Sequence, residues 1–550
     1  MKTNSVVTAT VTTVPVSEGA DRLSQERKDT GVGADLEGSS AASRSYVQIL
    51  VSSALIGGSS MINIGISMIR TKLLAVMLGP AGFGLLASFT VITDAARSWA
   101  ALGMNSSGVR QIAESNGTGN KQRIGLTIVV LRRTALVLGV LGAIALALLS
   151  GTVSRLTFGD EAQAGPVALL GLVVFFRMVS DGQGALLQGM RRIGDMARGG
   201  IIGTAAGSVL MLLAVYFYRE RGLALALVLG AAASAGIFWF YSRRIKVARV
   251  DASNAQMCFE AGQLLRLGLA FMVSGLLMTG ATYAVRVILI KFEGLEAAGI
   301  YQAAWTLGGL YVGFILQAMG ADFYPRLVGA AGDDIDTNRL VNEQSRVSIL
   351  LAGPGVLCTL VLAPLCVSFF YTSEFAPAGE ILRWICMGMA LRIISWPMGF
   401  IIVSRNRQLA FIATELAWTI VNVGATLVLV RYWGMTGVGA AFFLSYVFHV
   451  AIIYPVVRQI SGFRWEPDNF RSAVLFIGAM GCVTAAYAVL PPIAANAFGL
   501  IAVLGACAYS IHNLATLVPR ELVPKRLHRL VYWFQRDDSA EIASTGAESS

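Results

Sequence analysis

The chain has 550 residues, of which 55% are hydrophobic and only 14% charged, with a net charge of +11 and a mean hydropathy of +0.66. A soluble domain carries roughly a quarter of its residues as charges, so a water-soluble fold is excluded. An all-α polytopic membrane protein is expected.

The first 45 residues are rich in Ser, Thr, Gly and Ala with mixed charges, and lack a basic start followed by an apolar run. This predicts a disordered cytoplasmic tail ahead of an uncleaved first span. Apolar runs of about 18 to 25 residues then recur, each long enough to cross a hydrocarbon core of roughly 30 Å at about 1.5 Å per residue. They lie near 46–69, 83–102, 134–154, 166–187, 201–218, 223–241 and 267–290, and again near 299–319, 347–370, 381–403, 411–430, 438–457, 473–490 and 497–517, giving about fourteen transmembrane helices.

Basic flanks are retained on the cytoplasmic side. With the N-terminus inside, cytoplasmic segments hold about thirty-one of the 43 basic residues, including Arg191, Arg192, Arg243, Arg244, Lys246, Arg405, Arg407 and Arg526. This alternation predicts an even number of spans with both termini cytoplasmic. The positive charge is then topology and attraction to lipid surfaces, and it calls for no nucleic acid.

Sliding the chain on itself reveals one register, an offset of 215 residues, that holds over several segments. GPAGFGLLASF from Gly79 falls on GLEAAGIYQAA from Gly294, so Gly84 corresponds to Gly299. LLQGMRRIGDMA from Leu186 falls on IIVSRNRQLAFI from Ile401, and FFRMVS from Phe175 on ALRIIS from Ala390, which matches Arg177 with Arg392. Six spans per half is an even number, so the halves share one orientation and are related by a pseudo-two-fold axis along the membrane normal. The expected organisation is a tail (1–45), two six-helix bundles (46–250 and 251–460), two added helices (461–519) and a cytoplasmic tail (520–550). The glycine segments from Gly79 and Gly294 are expected to be tight outer turns.

A charge at the bilayer centre costs at least about 2.5 kcal/mol on insertion scales, so it normally faces a wet cavity or a partner. Arg177 and Arg392 lie about ten residues, roughly 15 Å, from the cytoplasmic ends of their spans, too deep for easy snorkelling. One reading makes them a cationic clamp for an anion such as phosphate, which guanidinium binds bidentately. The other has each neutralise a local acid, as Asp181 does one turn from Arg177. Arg286 has either a cavity role or a structural pairing. Arg70 is expected to snorkel at the interface. Asp94 and Arg97, three residues apart, are expected to pair along one helix face. Asp94, Asp181 and Glu415 are the intramembrane acids able to couple transport to protons or sodium.

The six cysteines form no CxxC pair and the three histidines no metal-ligand spacing, so neither a metal nor a resident cofactor is expected. No P-loop, nucleophile elbow or Rossmann pattern occurs, which argues against an ATP-driven step within the chain.

RTKLLAVMLGPAGFGLLASF followed by GVRQIAE from Gly108, Arg286 through AAGIYQ, LLQGMRR, and FAPAGEILRWICMGMALRIISW running on to ATELAW are similar to the corresponding stretches of Wzx-type polysaccharide flippases. These belong to the multidrug/oligosaccharidyl-lipid/polysaccharide (MOP) exporter superfamily. The resemblance spans roughly Tyr46 to Gln459. It implies two bundles in a V around a cationic cavity, and movement of an undecaprenyl-diphosphate-linked oligosaccharide across a bacterial inner membrane. It also implies basic site residues at Lys72, Arg286 and Arg392 and an acid at Glu415. Implied partners are the lipid-linked oligosaccharide and membrane lipids, while association with a polysaccharide polymerase and a chain-length regulator stays open. The long polar N-terminal tail and the two added helices depart from the shorter flippases. Rival readings are a cation-coupled drug antiporter, a lipid II flippase and a membrane-embedded polysaccharide polymerase. The excess of intramembrane arginine over acid favours an anionic substrate, and the short outer connectors disfavour the polymerase.

Overall fold

The structure, a computed structural model, describes residues 32–117, 121–245 and 253–517. The expected C-terminal tail and the start of the N-terminal one lie outside these residues. The chain divides into residues 1–58 and a unit from Ser59 to Ser550.

The described residues contain no strand. In chain order the helices are α1 (Val32–Ala101), α2 (Met104–Gly117), α3 (Lys121–Leu148), α4 (Ser150–Phe158), α5 (Ala164–Gly189), α6 (Ile193–Tyr218), α7 (Leu223–Ser242), α8 (Asn254–Gly329), α9 (Asp334–Val361), α10 (Ala363–Phe370), α11 (Ala378–Ser404), α12 (Gln408–Trp433), α13 (Thr436–Ser461), α14 (Pro467–Val489) and α15 (Pro492–Leu517). Short 3₁₀ turns occupy Arg219–Gly222 and Ser373–Phe375. The helix of α1 begins at Val32, ahead of the Tyr46 expected from hydropathy.

Eleven stretches of the described residues are long and apolar enough to cross a membrane. Three of them, Gly57–Ala101, Ile193–Ser242 and Gly275–Leu316, run to 45, 50 and 42 residues, about twice what one crossing needs. Each contains a break. In α1 it is Gly79, at φ 63° and ψ −177°, a conformation essentially reserved for glycine. Pro80 follows, at the start of the next arm, where the missing N–H would have had no helical partner. In α8 the break is Gly294, at φ 85° and ψ −179°. Arg286 bonds to Ala298 and Gln302 beyond this break, residues that a straight helix would place about 18 and 24 Å away. The chain therefore folds back on itself at Gly294, and the expected tight turn is present.

The 215-residue register reappears in the backbone. Gly79 pairs with Gly294, Arg191 (φ 54°) with Asn406 (φ 55°), and Arg219 (φ 52°) with Gly434 (φ 58°). Helices α6 and α12 have ends related by the same offset. Two expected spans differ from the helices observed. Residues 134–154 and 347–370 are each divided, at Leu149 and at Leu362. The second division precedes Pro364, whose ring and missing N–H disfavour a continuous helix.

The two turns meet back to back. A Cβ on Gly84 would lie 2.0 Å from the Leu295 carbonyl oxygen, and one on Gly299 1.9 Å from that of Pro80. Only hydrogen fits at either position. This crossing brings the repeat-related hairpins of the two halves into backbone contact. Buried Leu170, Val174, Met178 and Leu186 of α5 and Ile381, Ile385, Met389 and Ile401 of α11 make these two helices the apolar centres of the two sets.

Candidate functional site

A cavity of about 800 Å³ runs down from the crossed turns, where Phe83 and Tyr301 line it. Ser67, Arg70, Thr71 and Leu74 line it from the first arm of α1, a spacing that marks one helix face. The second arm contributes Asp94 and Arg97, α5 contributes Arg177 and Asp181, and the two arms of α8 contribute Arg286, Tyr301, Gln302 and Trp305. Four arginines face two aspartates, so the lining carries two positive charges in excess.

Arg286 is 2% exposed. Its Nη1 donates to the Ala298 carbonyl at 2.6 Å and its Nη2 to Gln302 Oε1, and its guanidinium lies over the Tyr301 ring, 5.4 Å from the centroid. Its Nε has no hydrogen-bond partner. Among the described residues no carboxylate forms an ion pair with it. Gln302 was missed in the sequence, although Arg286 and Gln302 stand eight positions either side of Gly294, where a hairpin brings residues face to face.

The remaining arginines behave differently from expectation. Arg97 Nη1 donates to Asp181 Oδ2 at 2.7 Å, and Arg177 Nη1 donates to Asp94. The pairs expected along each helix, Asp94 with Arg97 and Arg177 with Asp181, are replaced by pairs that cross between the second arm of α1 and α5. Adjacent helices present facing side chains, so a carboxylate reaches a guanidinium opposite it as easily as one a turn away. Arg177 is therefore neutralised and is not a bare cation. Arg70, expected to snorkel, lies instead on the cavity wall, close enough to Arg177 for the two charges to interact.

Arg392 does not join Arg177 in one cavity. It opens on a separate recess of about 420 Å³ lined by Gly309, Val312, Met389, Trp396 and Phe400. Its polar neighbours are Glu415, Tyr446 and His449. His449 Nε2 stands 4.0 Å from Glu415 Oε1, and His449 Nδ1 is buried without a hydrogen-bond partner. Arg392 thus has an acidic neighbour on the next helix, α12, which sequence proximity hid. Lys72 turns away from the cavity: its Nζ donates to the Phe369 carbonyl at 2.5 Å and lies 5.1 Å from the Phe369 ring centroid. No cluster of three or more metal-ligating side chains occurs among the described residues.

Residues 73–380, more than half of the chain, match the family described as "Polysaccharide biosynthesis protein". The lipid III flippase of Escherichia coli (strain K12) is 23% identical over 406 residues, which cover 72% of this chain and 94% of that protein, and the lipid III flippase of Shigella flexneri matches equally. Among solved structures, an inward-facing multidrug resistance MATE family transporter of the MOP superfamily superposes with a TM-score of 0.63 at 16% identity, covering 74% of this chain and 95% of that one. The lipid II flippase MurJ, in an inward closed conformation, superposes with a TM-score of 0.60 at 12% identity, covering 83% and 98%. With its helical hairpins, its internal repeat and its arginine-lined cavity, the chain is a multi-pass membrane member of the polysaccharide biosynthesis protein family, with the fold of the MOP superfamily.

Proposed function

We propose that the protein is a flippase that carries an undecaprenyl-diphosphate-linked oligosaccharide from the cytoplasmic to the periplasmic leaflet of the bacterial inner membrane, for assembly of a surface polysaccharide. The observation that carries this reading is the cavity wall itself. A buried guanidinium, Arg286, is held by neutral acceptors only, in a lining with two positive charges in excess. A diphosphate diester, ionised at both phosphates, balances that excess, and guanidinium is the side chain best shaped to bind it. A cavity of about 800 Å³ holds the diphosphate and first sugars while the lipid tail stays in the bilayer. The names of the curated relatives, both lipid III flippases, support the same substrate class.

With fourteen crossings and both termini cytoplasmic, the two halves rock against each other, the crossed turns parting as the cavity opens on their side, and so expose the cavity to alternate sides. Arg286 is the primary anchor, with Arg177 contributing on the same wall. Arg392 acts from the second recess, where Glu415 and His449 form the site that couples transport to a proton or sodium gradient. Asp94 and Asp181, each already held by a guanidinium, are less suited to that role. The rival reading, an antiporter of cationic drugs, runs against the excess of arginine, which repels such substrates.

The test is translocation of a fluorescent polyprenyl-diphosphate oligosaccharide in liposomes holding the purified protein. Protein-dependent movement that Arg286→Gln abolishes supports the reading. Absence of movement, with efflux of cationic dyes instead, overturns it.

A further inference from the structure

The guanidinium groups of Arg97 and Arg177 are engaged by acids from the neighbouring helix. Both pairs lie on the wall of the cavity, with side-chain exposures of 35% and 26% for Arg97 and Asp181 and 31% and 40% for Arg177 and Asp94. They are open to whatever enters. By contrast Arg286, which has no acid, is 2% exposed and braced by a carbonyl and an amide. Each crossed pair is made through one Nη1 rather than through the two-pronged fork that guanidinium and carboxylate can form. Arg97 Nε, moreover, is buried without a partner. The arginines therefore retain unused donors. Single-point contacts in a wet cavity are the exchangeable form of an ion pair.

We propose that Asp94 and Asp181 are internal counter-anions, which occupy Arg177 and Arg97 when the cavity is empty and give way to the phosphate oxygens of the cargo. The inference rests on the reading of the cavity as a diphosphate site. Its physical basis is a conflict that any carrier of a highly charged anion faces. Four bare arginines in a low-dielectric cavity would be costly to place in the membrane, and they would hold a diphosphate too tightly to release it. A carboxylate tethered beside each guanidinium relieves both problems. It neutralises the empty site, and it competes with the cargo at the moment of release at very high local concentration. Arg286 has no such competitor, and from its buried position its charge draws the anion inward once the exposed arginines have met it. The charged and titratable groups around the exchange are Arg70 on the first arm of α1 and Arg286 and Tyr301 on α8, and none is a further acid. The exchange is one anion for another at the same donors. No bond is made or broken and no proton need move.

The roles are separable by measuring binding and turnover together. Binding of farnesyl diphosphate to the full-length protein in nanodiscs is compared for the wild type, Asp94→Asn, Asp181→Asn and the double variant, alongside flipping of the fluorescent polyprenyl-diphosphate oligosaccharide. Asparagine keeps the shape and a hydrogen-bond acceptor but loses the charge. Each single variant is expected to bind the probe about tenfold more tightly and to turn over several-fold more slowly at saturating substrate, so that KM and kcat fall together. Asp94→Glu, which keeps the charge, restores wild-type behaviour. Unchanged or weaker binding in both Asn variants overturns the proposal and makes the acids merely structural. If Asp94→Asn is not recovered folded, Asp181→Asn alone gives the same decision on Arg97, because it leaves the other pair intact. If the wild type and all variants ignore the probe, and Arg286→Gln changes nothing, the diphosphate reading of the cavity itself falls, and the counter-anions with it.

Discussion

Replacing Gly84 by alanine adds one methyl group where two backbones touch. The new Cβ would stand 2.0 Å from the Leu295 carbonyl oxygen and 2.9 Å from the Gly299 nitrogen, more than an ångström inside ordinary contact at roughly 3.5 Å. The atoms in the way are main chain on the opposite hairpin, so no side chain can swing aside. Overpacking of this kind costs about 1–3 kcal/mol, and here the upper end applies because only a shift of a whole hairpin relieves it. The clash exists only while the turns are crossed, so it destabilises that state alone. About 3 kcal/mol moves the balance between closed and parted turns about 150-fold toward the parted state. Spin labels at Ala81 and Glu296, exposed repeat-related positions near the two turns, report the separation by pulsed dipolar spectroscopy. The wild-type distance is expected to give way to a longer one in Gly84→Ala, with flipping slowed. Gly299→Ala, whose Cβ meets the Pro80 oxygen at 1.9 Å, should behave alike, whereas Gly478→Ala, with nothing within 4 Å, should be silent. An unchanged distance distribution with normal transport in both turn variants would refute the crossing as a gate.

Lys72→Ala is expected to leave farnesyl diphosphate binding within threefold of wild type, because the ammonium is engaged by the Phe369 carbonyl outside the cavity; a loss comparable to that of Arg286→Gln would return Lys72 to the site. Glu415→Gln is expected to remove the response of flipping to an imposed proton or sodium gradient while probe binding persists, since Glu415 stands with His449 beside the second recess and not on the main cavity wall. Gradient-sensitive flipping in that variant, measured in the same liposomes, would move coupling elsewhere.

What could be read from the residues alone divides along a physical line. The turns at Gly79 and Gly294 were legible because a tight turn is local and needs glycine, and because duplication wrote the same turn twice. The repeat itself was legible for the same reason, and the matched left-handed residues Arg191 and Asn406 show the register continuing into loops with no glycine. Ion pairing was not legible. Asp94 with Arg177 and Asp181 with Arg97 depend on which helix lies beside which, information carried by packing and not by spacing. The direction of Lys72, away from the cavity, has another cause. Two residues along a helix is a rotation of about 200°, so Arg70 and Lys72 cannot both face one cavity. Arg70 lines the cavity, with Ser67, Thr71 and Leu74 on the same face. The divided spans were hidden because Leu149 and Leu362 interrupt helix geometry without interrupting hydrophobicity.

Helices α14 and α15 lie outside the repeat, and they pack on α9 and α11: Phe476 fills the space beside Gly353, and Val361 packs against Gly499. The corresponding face in the first half, on α3, presents Leu136, Val137, Val140, Leu141 and Ile144 to the outside. In the apolar stretch of α9, 61% of the residues are buried, against 33% in α3. The two halves therefore meet the bilayer unequally. One slides with its flank wetted by acyl chains, which flow around it. The other carries a protein jacket and a wider footprint, so it displaces more lipid for the same rotation. On the proposed rocking, the half with the wider footprint displaces more lipid, and the Asp94–Arg177 and Arg97–Asp181 pairs lie on the other half.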